Sequence, residues 1–182
     1  MRAMLIVNPN ATAIRRGVGE LLATAIADHA RVEVVPTEDR GHATDLAAGA
    51  REDGIDLVVA FGGDGTINET VQGLLGDPDV KNGNPVPRFA AIPGGYGNTF
   101  ARNLGFPLGV RGSARRLSEA LSQDRIRTVG LGLAKAPSPL TPAGDRYRWI
   151  CFSAGLGIDA EIIRTIDRIR SKGRRINGLA YV

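Results

Sequence analysis

Residues 61–69 read Phe-Gly-Gly-Asp-Gly-Thr-Ile-Asn-Glu, and they separate two patterns that cannot run into each other. Ahead of them, Ile55, Leu57, Val58, Val59, Ala60 and Phe61 form the short apolar run of a buried strand. Behind them, Ile67, Val71, Leu74 and Leu75 recur at helical spacing. A strand therefore stops and a helix starts within a few residues, at Gly62, Gly63 and Gly65. Without a Cβ, such positions let the backbone turn sharply and let its N–H groups approach a ligand. Those N–H groups and a helix N-terminus together make an anion site. Asp64 puts a carboxylate in the same place, where it would repel a bare anion. The pattern makes chemical sense with a cation or a donor in between, and Asp64 suits a Mg2+-bound water because hard cations prefer oxygen. Thr66 and Asn68 add polar groups to the first helical turn.

The chain before this stretch repeats the same alternation. Met4, Leu5, Ile6 and Val7 form an apolar run that ends in Asn8-Pro9-Asn10-Ala11-Thr12, where proline and asparagine break a strand. Val18, Leu21, Leu22, Ala25 and Ile26 mark one face of a helix. A strand over 31–35 stops at Pro36-Thr37, and a helix follows over about 42–51 with Ala43, Leu46, Ala47 and Ala50 inward. After the glycine stretch, residues 77–87 read as an exposed excursion. A fourth strand over 88–92 runs into Pro93-Gly94-Gly95-Tyr96-Gly97-Asn98, a second glycine-rich loop, and then a short helix over 101–104. Ala114, Leu117 and Leu121 mark another helix. Strands that alternate with helices predict an α/β fold with a parallel sheet covered on both faces. Ligands of such sheets sit beyond the C-terminal strand ends, near the reversal of strand order. The predicted cleft is therefore built from residues 8–12, Thr37 and residues 62–66.

The texture changes near residue 125, where a domain boundary is expected. Residues 127–135 and 146–153 read as an antiparallel strand pair, since no helix lies between them. They give a β-rich second domain over 126–182 that breaks off at Val182, after a parallel-sheet domain over 1–125. A last helix is expected from Ile158, with Ile162, Ile166 and Ile169 inward and Arg164, Arg168, Arg170, Lys172, Arg174 and Arg175 outward. Such a basic run suits an anionic membrane surface.

Composition narrows the function classes. Of 182 residues, 43% are hydrophobic and 23% charged, as in ordinary globular proteins. Aromatic residues are 5%, too few for base stacking as the main mode of action. The net charge of +4 permits an acidic partner without choosing one. A single cysteine, Cys151, excludes an internal disulfide and suits a reducing compartment; its surroundings, Trp149 to Phe152, read as a buried strand and a core thiol. With two histidines, His29 and His42, it cannot build a soft-ligand zinc site. The N-terminus enters a strand without a signal-peptide pattern, and no apolar run nears membrane-spanning length, so a cytoplasmic protein is expected.

Four segments in order resemble the bacterial diacylglycerol kinase and sphingosine kinase-like family. They are Asn8-Pro9 after the first strand, Gly62 to Glu69 after the third, Pro93 to Asn98 with the following Phe-Ala-Arg-x-Leu-Gly after the fourth, and Ser153 to Glu161 at the entry to the second domain. The resemblance implies a kinase that uses ATP and Mg2+ and phosphorylates a lipid hydroxyl, with diacylglycerol giving phosphatidic acid. It implies nucleotide contacts at Asn8, Pro9, Asn10, Ala11, Thr12 and Thr37. It extends them to Gly62, Gly63, Asp64, Gly65, Thr66, Ile67, Asn68 and Glu69, and to Gly94, Gly95, Tyr96, Gly97 and Asn98. Asp64 would organise the metal and its water, and Glu69 would orient its neighbours. The expected partners are ATP and a lipid met at the inner membrane surface, with a homodimer allowed and nucleic acid excluded. This chain departs from the family pattern at Ala11-Thr12, Tyr96 and Thr99, and the family's catalytic base and further metal ligands would lie beyond Val182.

Rival readings remain. NAD kinases share Gly-Gly-Asp-Gly-Thr but lack a counterpart of residues 93–104. A nucleotide-binding fragment without turnover also fits. Gly155-Leu156-Gly157-Ile158-Asp159-Ala160 matches a dinucleotide fingerprint, yet it follows antiparallel strands and lacks the returning strand. No Gly-Lys-Ser/Thr phosphate loop occurs.

Overall fold

The structure, a computed structural model, describes residues 1–80, 83–137 and 145–155, together with 157, 161, 162, 164, 165 and 168. The chain divides into two compact units, Met1–Cys151 and Phe152–Val182.

The first unit follows the predicted alternation. Its elements are β1 (Arg2–Val7), α1 (Val18–Ala27), β2 (Arg31–Pro36), α2 (His42–Glu52), β3 (Leu57–Gly62), α3 (Asp64–Leu75), β4 (Arg88–Pro93), α4 (Thr99–Asn103) and α5 (Val110–Ser122). A hairpin of β5 (Gly132–Pro137) and β6 (Asp145–Ile150) completes it. The four-stranded sheet has the order β2-β1-β3-β4. All its pairs are parallel, with Leu5 opposite Val34 on one side and Val59 on the other.

Side chains of a strand alternate between faces, and this alternation builds two apolar layers. Ala3, Leu5 and Val7 of β1 and Leu57, Val59 and Phe61 of β3 pack against Val18, Leu22 and Ile26 of α1 and Ala114 and Leu117 of α5. Met4, Ile6 and Val58 turn the other way, onto Ala43, Ala47 and Ala50 of α2 and Leu74 of α3. Ala60 and Ala91 meet Ile67 of α3 and Phe100 and Ala101 of α4. Each large aliphatic side chain buried this way stabilises the fold by about 1.5–3 kcal/mol. The small residues of α2 let α3 come close. A Cβ on Gly73 would stand 2.1 Å from the Thr44 carbonyl oxygen, so glycine is required there despite its poor helix propensity.

The excursion after α3 is exposed at its described residues 76–80 and 83–86. It is tied back by Asn84, whose Nδ2 donates to the carbonyls of Arg51 at 3.2 Å and Glu52 at 2.8 Å.

The hairpin corrects the predicted strand limits. Its ladder runs only from Gly132 opposite Ile150 to Pro137 opposite Asp145, so residues 127–131 and 151–153 are not strand. Among the described residues, β5 and β6 pair only with each other. The expected burial of residues 149–152 is also reduced: Trp149, Ile150 and Cys151 are half-buried and Phe152 is 40% exposed. The parallel-sheet half closes at Ser122, and the hairpin beyond it falls within the first compact unit.

In the second unit, Glu161, Ile162, Arg164, Thr165 and Arg168 are helical. Arg164 Nη1 lies 3.4 Å from Glu161 Oε2. Ile162 is 40% exposed, which corrects its inward placement. Ile158, Ile166, Ile169, Arg170, Lys172, Arg174 and Arg175 lie outside the described residues. No helix among the described residues is long and apolar enough to cross a membrane.

Candidate functional site

From β1 the chain steps outward to β2, then returns across to β3 and β4, so the strand order reverses between β1 and β3. The loops that leave the C-terminal ends of β1, β3 and β4 are sewn together by backbone hydrogen bonds. Asn8 N–H donates to the Phe61 carbonyl at 2.9 Å, Gly94 N–H to the Gly62 carbonyl at 2.7 Å, and Ala13 N–H to the Gly94 carbonyl at 2.9 Å. Beyond β2, Thr37 N–H donates to the Val7 carbonyl at 2.9 Å. The residues predicted from sequence therefore do gather at one end of the sheet.

Asn8 is fixed on both sides of its amide. Its Oδ1 accepts from the Asn10 N–H at 2.8 Å, and its Nδ2 donates to Thr66 Oγ1 at 2.8 Å. The second bond crosses the reversal point and ties the β1 loop to the first turn of α3.

Three of the glycines stand where a side chain would collide with its neighbours. At Gly62 an added Cβ would stand 2.5 Å from Thr66 Cβ, and at Gly95 it would stand 2.4 Å from Gly63 Cα. At Gly94 it would stand 3.0 Å from Gly62 Cα. Gly94 and Gly95 let the two loops pack backbone to backbone, whereas Gly62 makes room for the Thr66 side chain. Gly65 is the one that keeps a surface open. It is exposed in the first turn of α3, with nothing within 4 Å of an added Cβ.

α3 begins at Asp64, with Gly63 as its extended N-cap and no side chain closing that end. The first N–H groups of a helix have no partner within the helix, and here they flank exposed Gly65. The Asp64 carboxylate leans across to the β4 loop. Its Oδ1 accepts from the Phe100 N–H at 3.4 Å, and a Cβ on Gly97 would stand 2.8 Å from its Oδ2. Asp64 thus lies half-exposed between the two glycine loops.

Asn98 closes the β4 loop on itself. Its φ is 52°, a left-handed conformation that asparagine tolerates. Its Oδ1 accepts from the Gly95 N–H at 2.8 Å and its Nδ2 donates to the Gly95 carbonyl at 2.7 Å. Ala11, Thr37, Thr66, Ile67 and Asn98 are all buried, so their side chains shape the site. Pro9, Asn10, Thr12, Gly65, Tyr96 and Gly97 are exposed. Tyr96 is 77% exposed, so its ring is available to stack on a ligand. Glu69 turns its backbone to α2, where its carbonyl accepts from Thr44 Oγ1 at 3.1 Å. No hydrogen bond or ion pair of its carboxylate is found among the described residues.

The far half of α3 carries contacts that sequence reasoning did not single out. Gln72 Nε2 donates to the Trp149 carbonyl at 2.8 Å, and its Oε1 accepts from the Trp149 N–H at 2.9 Å. Trp149 Nε1 donates to the Gly76 carbonyl at 2.8 Å. The Tyr147 hydroxyl donates to Asp79, a bond that raises its pKa from the ordinary value. The spacing of Asp64, Asn68 and Gln72, four residues apart on one helical stripe, was the available signal. Cys151 donates from Sγ to Asn68 Oδ1 at 3.5 Å, and burial pushes the thiol up to about 11. At neutral pH it is a protonated packing group, half-buried rather than the buried core thiol expected.

Magnesium usually keeps several waters and binds through one or two carboxylates plus substrate phosphates. Asp64 beside open helix N–H groups fits that donor set. Among the described residues no group of three His, Cys, Asp or Glu side chains could hold an ion without a phosphate.

Residues 2–134 match the model of the diacylglycerol kinase catalytic domain. The chain is 40% identical over 77 residues to a diacylglycerol kinase of Staphylococcus epidermidis, covering 42% of this chain and 22% of that one. It is 27% identical over 153 residues to the "Probable lipid kinase YegS-like" of Stenotrophomonas maltophilia, covering 84% and 44%. Among solved structures it is similar to a diacylglycerol kinase from Bacillus anthracis, with TM-score 0.57 and 29% identity over 65% of this chain and 42% of that one. The chain spans 22% to 47% of the length of the curated relatives it matches.

Proposed function

Because the chain belongs to the family of diacylglycerol kinase catalytic domains, we propose that it binds ATP with Mg2+ on the strand-end loops and serves transfer of the γ-phosphoryl group to the hydroxyl of diacylglycerol. The observation that carries this reading is the open head of α3, with exposed Gly65, uncapped N–H groups and the Asp64 carboxylate on one surface. Phosphoryl transfer asks a protein for positioning and charge neutralisation more than for covalent chemistry. The first-turn N–H groups of α3 bind phosphate oxygens along the helix dipole. The β1 loop, held by Asn8, and the β4 loop, held by Asn98, wall the nucleotide in, and Tyr96 covers it from solvent. In the transfer, the lipid hydroxyl oxygen bonds to the γ-phosphorus as the bond to the ADP oxygen breaks, and the hydroxyl proton leaves to a base or to water. Magnesium, when bound, supplies charge neutralisation on the phosphates. Asp64 holds its water shell in place.

The lipid sits at a membrane surface, which the protein reaches as a peripheral visitor from the cytoplasmic side. The test is transfer of labelled γ-phosphate with diacylglycerol in mixed micelles and NAD as rival acceptors, using the longest natural form of the chain. Label in phosphatidic acid and none in NADP is expected. Label in NADP and none in lipid would replace this reading with an NAD kinase.

A further inference from the structure

Asp64, Asn68 and Gln72 form one stripe that runs from the proposed phosphate site down α3 to β6. The orientation of each amide on it follows from the backbone of Trp149, whose donor and acceptor are unambiguous. The Trp149 N–H requires an acceptor, so Gln72 must present Oε1 to it, at 2.9 Å. Gln72 Nε2 then donates to the Trp149 carbonyl at 2.8 Å. Its second N–H points back along the helix to Asn68 at 3.0 Å, so Asn68 must offer Oδ1 there. The protonated Cys151 thiol, 3.5 Å away, donates to the same oxygen. Asn68 is thereby held with its oxygen turned to β6 and its NH2 turned away. That NH2 has no protein partner among the described residues. No buried polar side-chain atom there lacks a partner, so the NH2 is open to solvent. Residue 68 itself lies about 6 Å along the helix axis from Asp64, one turn below the first N–H groups of α3.

We infer that Gln72 is a positioning residue: it locks the Asn68 amide so that Asn68 Nδ2 donates to a phosphoryl oxygen of the nucleotide. The inference rests on the proposed function and adds an orienting residue to that site. A free asparagine amide can flip and present an oxygen, which would repel a phosphate; the Trp149–Gln72–Asn68 relay removes that alternative. It also makes the β5–β6 hairpin part of the apparatus that sets the site.

The experiment measures MgATP affinity by calorimetry on the chain and on four variants, with melting temperatures as a control on folding. Asn68→Asp retains an oxygen for Gln72 and Cys151, so every bond inside the protein survives while both outward N–H donors are lost. It is expected to melt like wild type and to bind MgATP at least about ten-fold more weakly, since a hydrogen bond to a charged group is lost. Gln72→Glu cannot donate to Asn68 or to the Trp149 carbonyl, and is expected to weaken binding several-fold. Asn68→Ala binds as weakly as Asn68→Asp. Adding Gln72→Glu to Asn68→Ala changes affinity no further, because Gln72 acts through Asn68. If Asn68→Asp binds MgATP as tightly as wild type, or Gln72→Glu costs the same with and without Asn68, the inference is overturned while the site reading stands. A wild-type chain that binds no MgATP overturns both together.

Discussion

Asn8 Nδ2 donates to Thr66 Oγ1 at 2.8 Å, and this bond joins the loop after β1 to the first turn of α3 across the reversal of strand order. Thr66 is 8% exposed, so the bond works in a partly dry environment. Asn8 also accepts from the Asn10 N–H, which gives it two structural bonds. Asn8→Ala should destabilise the fold by about 1–2 kcal/mol, and Thr66→Val by about 1 kcal/mol. The double variant should cost less than the sum by about 1 kcal/mol, because both remove the same bond. Urea denaturation of the four proteins measures this; strict additivity would show that the two side chains are uncoupled.

Gly65 and Gly95 separate ligand access from loop packing. Gly65→Leu enters open space with no positive φ to strain it, so stability should hold or rise by up to ~1 kcal/mol. Its side chain should nevertheless cover the head of α3 and abolish MgATP binding. Gly95→Ala drives a Cβ to 2.4 Å from Gly63 Cα and should cost about 1–3 kcal/mol. Paired denaturation and binding curves check both; a Gly65→Leu protein that binds normally would move the ligand away from this turn.

Gly73→Ala tests the seat of α3. The new Cβ would meet the Thr44 carbonyl at 2.1 Å, and neither helix backbone can yield cheaply. A loss of about 3 kcal/mol, the upper end of ordinary overpacking costs, is expected in urea. A change below about 0.5 kcal/mol would mean that α2 and α3 adjust freely.

Much of this was legible because the periodicities are strong. The apolar runs Met4 to Val7 and Leu57 to Phe61 marked buried strands, and Val18, Leu22 and Ile26 of the five residues marked on α1 do face inward, while Leu21 is 37% exposed. The assembly of the site was less legible. Nothing local says that Gly95 is needed by Gly63 rather than by a ligand, since that demand arises only when β3 and β4 become neighbours. Asn98 reads as a polar loop residue, and only its closed ring with Gly95 reveals a buried brace. The hairpin limits were misplaced because ladder length follows the pairing of β5 with β6, from Gly132 opposite Ile150 to Pro137 opposite Asp145, rather than propensity. Gln72 was passed over because its importance lies in a strand far along the chain.

Cys151 gives a pH-dependent prediction. Its folded pKa, about 11, lies above the ordinary thiol value of 9.0, because burial disfavours the thiolate. The folded state therefore keeps its proton where the unfolded chain loses it, between about pH 9 and 11. Its contribution to stability is complete below that window and is lost as pH rises through it. Thiol reagents should label the native protein at pH 8 much more slowly than the urea-unfolded chain. Equal rates would show an accessible thiolate.

Asp64→Asn keeps the size of the side chain and its acceptor for the Phe100 N–H while removing the charge. The fold should survive, and phosphoryl transfer by the longest natural form should fall at least about a hundred-fold with loss of its Mg2+ dependence. Transfer within a few-fold of wild type would remove Asp64 from the chemistry.

The most direct measurement is the melting temperature of the chain with and without millimolar ATP and Mg2+, beside Gly65→Leu. A ligand that binds only the folded state at a hundred times its Kd adds about 2.7 kcal/mol of stability. The account predicts a clear upward shift for the wild type and none for Gly65→Leu. An unchanged wild-type melting temperature, or the same shift in both proteins, would contradict a nucleotide site at the head of α3.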